Sequence, residues 1–562
     1  MRKWTAWIWA AAFVVALTPL VWAAPSGKVV VAQGVDPTTL DPHDHEETPA
    51  FNVLLNIYDT LLIRDKDLKI TPWLATSYKI VNPTTLDPHD HEETPAFNVL
   101  LNIYDTLLVR DKDLKITPWL ATSYKIVNPT TWEFKLRQGV KFTNGEEFDA
   151  EVAKFSLERL ANPANNLRMT ALRPIERVEV KDKYTIHIVT KKPYPVLDAH
   201  LCLRGAMVPP KYFKEKDKAF LARNPVGTGP FKFVKWVKDD RIEFEANEQW
   251  WHGAPKIKTL IFRPVPEETT RMSALQTGEV DIATNVPPHL VKELKNHPKV
   301  TISSAPSVRT IFMPIYTVQC EMSQGSWDCT KPVQGPVANK KVRQAINYAV
   351  DVDSIIKNVL EGQGIRTATP LTSKHFGYDP KVKPYPHDPA KAKKLLAEAG
   401  YPNGIDIVLH SPNGRYPKDK EVAEAVAGQL TKAGIRAQVK IYEWTTYMNN
   451  IAYRHGGAPI WLIGWGNTTW DADNTLTNMF RTGELLANYW NTEFNTLLDD
   501  ARSITDQKKR LEMYSKVSQI FIEDAPAISL YQQIDNYGVS RKVEWAARSD
   551  ERIEGYNMAV KQ

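Results

Sequence analysis

Short runs in which apolar and polar residues alternate dominate the first half of the chain, and apolar residues at helical spacing dominate the second. Lys28 to Ala32 reads as an apolar strand, and Trp132, Phe134 and Leu136 alternate with polar neighbours as one face of another. Asn144-Gly145 marks a turn. Asp149 then caps a helix running through Leu160, because a short carboxylate there accepts from the exposed amides of the first turn. Val178 to Val180 and Tyr184 to Val189 predict a hairpin around Asp182-Lys183, and Gly229 to Val237 with Arg241 to Ala246 predicts a second around Asp239-Asp240.

The later helices have clearer boundaries. Asp388 is a cap and Pro389 takes the first helical position, where its missing N–H leaves nothing unpaired. Ala392, Leu395, Leu396 and Ala399 then form one apolar stripe, with Gly400 as terminator. Ile405 to Leu409 predicts a strand, Glu421 to Lys432 a helix burying Val422, Val426 and Leu430 ahead of Gly434, and Ala437, Val439 and Ile441 the next strand. A strand, helix, strand succession implies parallel strands joined by a right-handed crossover. Asp353 is expected to start one more helix, bearing Ile355, Ile356, Val359 and Leu360 and ending near Gly362.

One repeat interrupts this pattern. Pro37 to Asn82 and Pro83 to Asn128 match at every position except Ile63 against Val109. Solenoid repeats recur three or more times and drift, because each copy packs against different neighbours. Two near-identical copies point instead to a recent tandem duplication or an error of sequence assembly, with Pro-Thr-Thr at 37, 83 and 129 marking the junctions. Only one copy fits between the strand at Lys28 and the strand at Trp132. The short turn Asn128 to Thr131 favours pairing Tyr124 to Val127 with Trp132 to Leu136. Copy one is expected to supply the loop after the first strand, leaving the surplus between Phe51 and Pro95.

Arg2 and Lys3 precede an apolar run from Trp4 to Val21 that reaches Ala23 and Ala24, the layout of a secretory signal peptide cleaved after Ala23. The run is barely long enough for a bilayer, holds Pro19 and lacks a charged stop-transfer flank. No cysteine lies nearby to take a lipid anchor. A net charge of +6 over 562 residues is too mild to suggest nucleic acid. Export permits disulfides, so Cys320 and Cys329, which flank Glu321 to Asp328, either bridge or remain thiols, and Cys202 is expected to be buried. The 17 Trp and 21 Tyr suit large cores or an aromatic-walled ligand cavity.

The sequence carries no Gly-x-Ser-x-Gly elbow, no His-Glu-x-x-His, no Walker loop and no Gly-x-Gly-x-x-Gly. Neither catalysis nor a cofactor is expected, and a secreted hydrolase is the rival class. Asp471 and Asp473 begin a calcium-loop spacing, but Leu476 stands where glycine is needed and Thr482 where glutamate is needed. His43 to Glu46, repeated at His89 to Glu92, have the residue types of a transition-metal site, against a solvated polar loop after Asp41-Pro42. No metal site is assigned.

Thr39 to Pro42, Tyr104 to Leu108, Pro118 to Ala121, Phe134 to Phe142, Gly227 to Phe231, Gly278 to Asp281, Val342 to Ala345 and Asp388 to Gly400 together resemble the family 5 extracellular solute-binding proteins. The resemblance covers nearly the whole mature chain. It implies an α/β fold of two hinged lobes that close over a ligand cleft, with an extra N-terminal mixed domain. Residues 1–23 are then the signal peptide, and 24–270 the strand-rich first lobe plus extra domain, including copies 37–82 and 83–128. Residues 271–510 form the second α/β lobe, and 511–562 return to the first. The resemblance further implies a periplasmic monomer that captures a di- or oligopeptide or peptide-like solute for an inner-membrane ABC permease. Glutathione, opine or nickel uptake are the alternatives.

Peptide binders of this family often carry an aspartate shortly after Gly-Trp-Gly to pair with the ligand's amino group. Here Thr468 occupies what looks like that position, so a free amino group is either clamped by Asp471 or not clamped at all. The loop Ser411 to Pro417 leaves the carboxyl end of a predicted parallel strand, where α/β ligand crevices form. Arg415 in that loop is either a bidentate partner for a ligand carboxylate or a solvent-facing arginine. The expected ligand-side residues are therefore Arg415, Tyr416, Trp465, Asn467, Trp470 and Asp471, with one tryptophan flooring the pocket and the other in the core.

Overall fold

The computed structural model describes residues 85–90 and 94–561, apart from 166, 168, 170, 239, 266–267, 324–325, 443–446, 453–458, 485 and 488, together with strand pieces at 62–64 and 70–72. The expected signal segment and the strand at Lys28 to Ala32 lie outside the described residues. Two compact units divide the chain, Met1–Val81 and Asn82–Gln562. In the first, Leu62–Arg64 pairs antiparallel with Ile70–Pro72, Leu62 opposite Pro72.

The second unit begins with copy two of the repeat, which is packed into it from Thr85 onward. Asp87 accepts from Arg159 Nη2 at 2.6 Å and Nη1 at 3.1 Å. Arg159 Nη1 also lies 2.6 Å from His89 Nδ1, and since a guanidinium cannot accept, His89 carries its proton on Nε2, which donates to Ala206 O at 2.8 Å. Both ring nitrogens of His89 thus serve the fold. Leu108–Arg110 pairs with Ile116–Pro118 in the register of the twin hairpin in copy one, Leu108 opposite Pro118. Ala121–Asn128 then pairs with Thr131–Leu136, Tyr124 opposite Phe134 and Ile126 opposite Trp132, as the short turn predicts. The loop expected from copy one after Lys28 to Ala32 lies outside the described residues, but Thr85 to Asp90 of copy two, expected within the surplus, is packed into the fold. Once Ala121–Asn128 is fixed by its turn, the residues contiguous with it reach their places without closing a further loop.

Thr131–Leu136 lies inside a four-stranded antiparallel sheet ordered 121–128, 131–136, 185–190, 175–182. Its buried face of Trp132, Phe134 and Leu136 shares a core with Leu157 and Leu160 of the helix Ala150–Ala161, which Asp149 caps through the amides of Glu151 and Val152. Phe231–Val237, Arg241–Ala246 and Thr259–Phe262 form a three-stranded sheet that includes the second predicted hairpin.

Two long antiparallel strands, Val300–Pro314 and Ala527–Ser540, organise the rest. Val300 to Pro306 pairs with Ser540 to Ile534, beside Ile282–Ala283. Thr310 to Pro314 pairs with Gln532 to Ala527, beside Ile463–Gly466 and Gly364–Arg366. Regular pairing lapses between Pro306 and Thr310, where proline has no N–H to offer the ladder.

Ile311 and Met313 share a core with a parallel sheet ordered Ile435–Tyr442, Ile405–Pro412, Ile460–Trp461. The helix Asp419–Lys432 makes the predicted crossover, burying Val422, Val426 and Leu430. Asp388 caps Pro389–Glu398 as read from the sequence. One start differs: Asp351, not Asp353, caps the helix Val352–Asn358, its carboxylate accepting from Ser354 N–H. Cys202 is buried as a free thiol, and burial pushes it up to about 12. Val318–Ser323 and Ser326–Pro332 form a hairpin, but the side chains of Cys320 and Cys329 lie outside the described residues.

Candidate functional site

A cleft of about 710 Å³ opens beside the lapse in the long strands. Arg309 lines it from one strand and Gln533, Asp535 and Tyr537 from the other, with the loop 413–418, Trp236 and Phe262 of the three-stranded sheet, and Glu551 completing the walls.

The loop owes its shape to one carboxylate. Asp419, the first residue of its helix, accepts from the N–H groups of Gly414, Arg415 and Tyr416 at 2.9, 2.9 and 3.0 Å. Burial raises Asp419 above the ordinary carboxylate range, and those amides pull it back down. Lys418 takes a left-handed φ of 58° to turn the chain into the helix. Tyr416 is buried, with its hydroxyl donating to Gly464 O at 3.1 Å. A Cβ at residue 464 would stand 2.6 Å from both the Tyr416 ring and Ile311 Cδ1, so glycine is what lets the ring lie there.

Arg415 lies over the Tyr416 ring at 5.1 Å. Desolvation and the neighbouring Arg309 depress Arg415, so this wall favours an anion that would offset two nearby guanidinium groups. Arg309 Nη1 donates to Gly464 O at 3.1 Å, and its Nη2 lies 3.4 Å from both oxygens of Glu551. Ser307 Oγ donates to the same carboxylate at 2.7 Å. Asp535 is held well above the ordinary range by burial and by the charge of Glu551. The cleft therefore has a cationic side at the loop and an acidic corner on the long strand.

The structure divides the six sequence-predicted residues. Arg415 and Tyr416 line the cleft, whereas Trp465, Asn467, Trp470 and Asp471 do not. Trp465 Nε1 donates to Asn474 Oδ1 at 3.0 Å. Asn467 is fully buried and donates to Asp471 O and Thr475 Oγ1. Trp470, at a left-handed φ of 59°, packs against the His375 ring. Asp471 caps the helix Ala472–Phe480 through the Asp473 amide and pairs with Arg510 Nη2 at 3.0 Å. Burial pushes Asp471 up to about 6 despite Arg510. Thr468 Oγ1 accepts from Arg204 Nη1 at 3.1 Å.

Sequence reasoning missed Arg309, Gln533, Asp535 and Glu551. A signal existed for two of them: Gln533 and Asp535 stand two apart in the strand Ala527–Ser540, so they share a face and interrupt an apolar strand on one side. Among the described residues, no group of three or more His, Cys, Asp or Glu is placed to hold a metal ion.

Two long antiparallel strands with a polar cleft at their irregularity offer facing polar walls to a solute. Residues 115–485 match the family model of bacterial extracellular solute-binding proteins, family 5 Middle, and the chain belongs to that family. It is 32% identical over 524 residues to the glutathione-binding protein GsiB of Pectobacterium atrosepticum, spanning 91% of this chain and 89% of that one. The periplasmic binding protein DppA of Helicobacter pylori, solved with the peptide STSA, superposes with a TM-score of 0.70 at 27% identity, covering 85% of this chain and 96% of DppA. HbpA2 of Haemophilus parasuis gives 0.73 at 25%, covering 86% and 98%. The fold is the two-lobed α/β architecture that the sequence resemblance implied. No described helix is long and apolar enough to cross a membrane.

Proposed function

We propose that this protein captures a short peptide-like solute, with glutathione the first candidate, and presents it to the permease of an ABC importer. The observation that carries the reading is the likeness to a glutathione-binding protein along nine-tenths of the chain. The cleft chemistry supports it, because glutathione bears carboxylates and an ammonium, and the walls offer Arg309 and Arg415 on one side and Asp535 and Glu551 on the other. A free di- or oligopeptide is the second reading, favoured by the likeness to DppA, which was solved with a tetrapeptide. Arg415 would meet the ligand carboxylate and Tyr416 would wall the pocket beside it.

The protein acts as a periplasmic monomer, released from its signal peptide after Ala23, and binds without turnover. Closure of the halves over ligand shifts the population toward the form that the permease recognises. Native mass spectrometry of protein taken from the periplasm, followed by titration calorimetry with glutathione and with dialanine, tests the reading. One solute bound per chain and released unchanged is the expected result. No binding of either solute, or a chemically altered product, overturns it.

A further inference from the structure

Among the described residues, two acceptor atoms in the acidic corner have no donor. Gln533 and Asp535 are each 7% exposed, and both line the cleft. Gln533 Nε2 donates to Asp535 Oδ1 at 2.6 Å. That bond leaves Gln533 Oε1 and Asp535 Oδ2 buried and without a hydrogen-bond partner among the described residues. A bare buried acceptor is destabilising, so its retention in a cleft wall calls for something that completes it.

The neighbours define what is missing. The Ser307 hydroxyl, a neighbour of Asp535 as well, has one proton and directs it to Glu551 at 2.7 Å, so Asp535 Oδ2 stays without a hydrogen bond. Arg309 directs Nη2 to Glu551 and Nη1 to Gly464 O. Two carboxyl groups thus lie in the field of one guanidinium, and Asp535 is the one to which it donates no hydrogen bond. The missing group must offer at least two N–H or O–H donors and positive charge. A primary ammonium has three donors on one atom and fits; a carboxylate or carbonyl would meet only acceptors, and a hydroxyl could satisfy only one of them. Asp471, the carboxylate the sequence offered for an amino group, is already paired with Arg510 and accepts from the Tyr514 hydroxyl.

We propose that Asp535 and Gln533 form the subsite for the primary ammonium group of the ligand. The assignment rests on the peptide-like reading of the cleft and deepens it: the solute carries a free amine at the long strand and a carboxylate toward Arg415. It also places the amine beside the lapse between Pro306 and Thr310, where the two long strands stop pairing regularly. Ligands whose amine is acylated are accordingly disfavoured.

Titration calorimetry on the full chain tests the subsite, with glutathione and N-acetylglutathione as probes. The wild type is expected to prefer glutathione by about tenfold or more, and Asp535→Asn to lose that preference by weakening glutathione alone, as removal of one charge partner does. Gln533→Met, which keeps the volume and removes Oε1, should give a smaller loss confined to the free amine, and it serves should the first variant fail to fold. Equal wild-type affinity for the two probes overturns the subsite. So does an undiminished preference in Asp535→Asn or, where that variant does not fold, in Gln533→Met. Those results leave the capture function standing, whereas a wild type that binds neither glutathione nor dialanine overturns both.

Discussion

Asp471 shows how a single side chain changes meaning between sequence and structure. Its position after Gly-Trp-Gly suggested a ligand partner, yet its oxygens are taken by Arg510, the Asp473 amide and the Tyr514 hydroxyl. Removing one member of a buried pair leaves the other charge uncompensated, so Asp471→Ala is expected to lower the unfolding free energy by about 3–5 kcal/mol, read by urea titration. Wild-type stability in that variant would detach the residue from the fold. His375 makes a second prediction at this scale. Burial, then Arg110, lowers it to about 3 from an ordinary value near 6.5. The unfolded chain therefore takes up the proton first, and the stability held above pH 6.5 is lost as pH falls from there toward 3. His375→Asn can still accept from Thr372 N–H, which now reaches Nδ1 at 3.1 Å. It should flatten the decline in stability between pH 7.5 and pH 5 by about 2 kcal/mol, and an unchanged decline would refute the assignment.

At the scale of elements, the cleft depends on the strand, loop and helix from Ile405 to Lys432. The hydrophobic pattern placed the strand and helix, and their parallel pairing puts the intervening loop at the carboxyl end of the sheet. What the pattern left open was the loop's conformation, which three amide bonds to Asp419 decide. Asp419→Ala should leave the helix formed but let the loop wander, weakening solute binding about five- to tenfold as the ordering cost moves into the binding step. Calorimetry combined with circular dichroism separates that outcome from general unfolding. Gly464→Ala acts on the same contact from the other side: a methyl 2.6 Å from the Tyr416 ring should displace it and cost about 1–3 kcal/mol in stability.

For the whole molecule, the duplication poses the sharpest question. The described residues of copy two, 85–90 and 94–128, are packed into the fold, and Asp87 and His89 bind Arg159 and Ala206. Deleting residues 37–82 should therefore preserve solute binding and keep or raise the melting temperature, since loop length changes closure entropy by less than about 1 kcal/mol per doubling. Deleting 83–128 instead joins copy one to Pro129, and the product differs from the first deletion only by Ile63 in place of Val109. The two shortened proteins should melt and bind alike. A clear loss of binding in both would show that each copy contributes to the working fold.

The sequence by itself determined the local structure. Spacing of apolar residues and caps at Asp149 and Asp388 set their helices, and the repeat is decisive on this point, since both copies form the same hairpin in the same register. Local rules also placed Arg415 and Tyr416 at the end of a parallel strand, within reach of the cleft. Tertiary structure decided everything that required a partner distant in sequence. Two nearly identical copies have the same propensities, and only contiguity with Thr131–Leu136 and contact with Arg159 and Ala206 selected copy two. Asp471 and Asp535 are likewise both aspartates beside apolar strands or turns, indistinguishable by local pattern. Arg510, 39 residues away, satisfies the first, while Glu551 competes for the groups around the second and leaves it facing the cleft with an open oxygen.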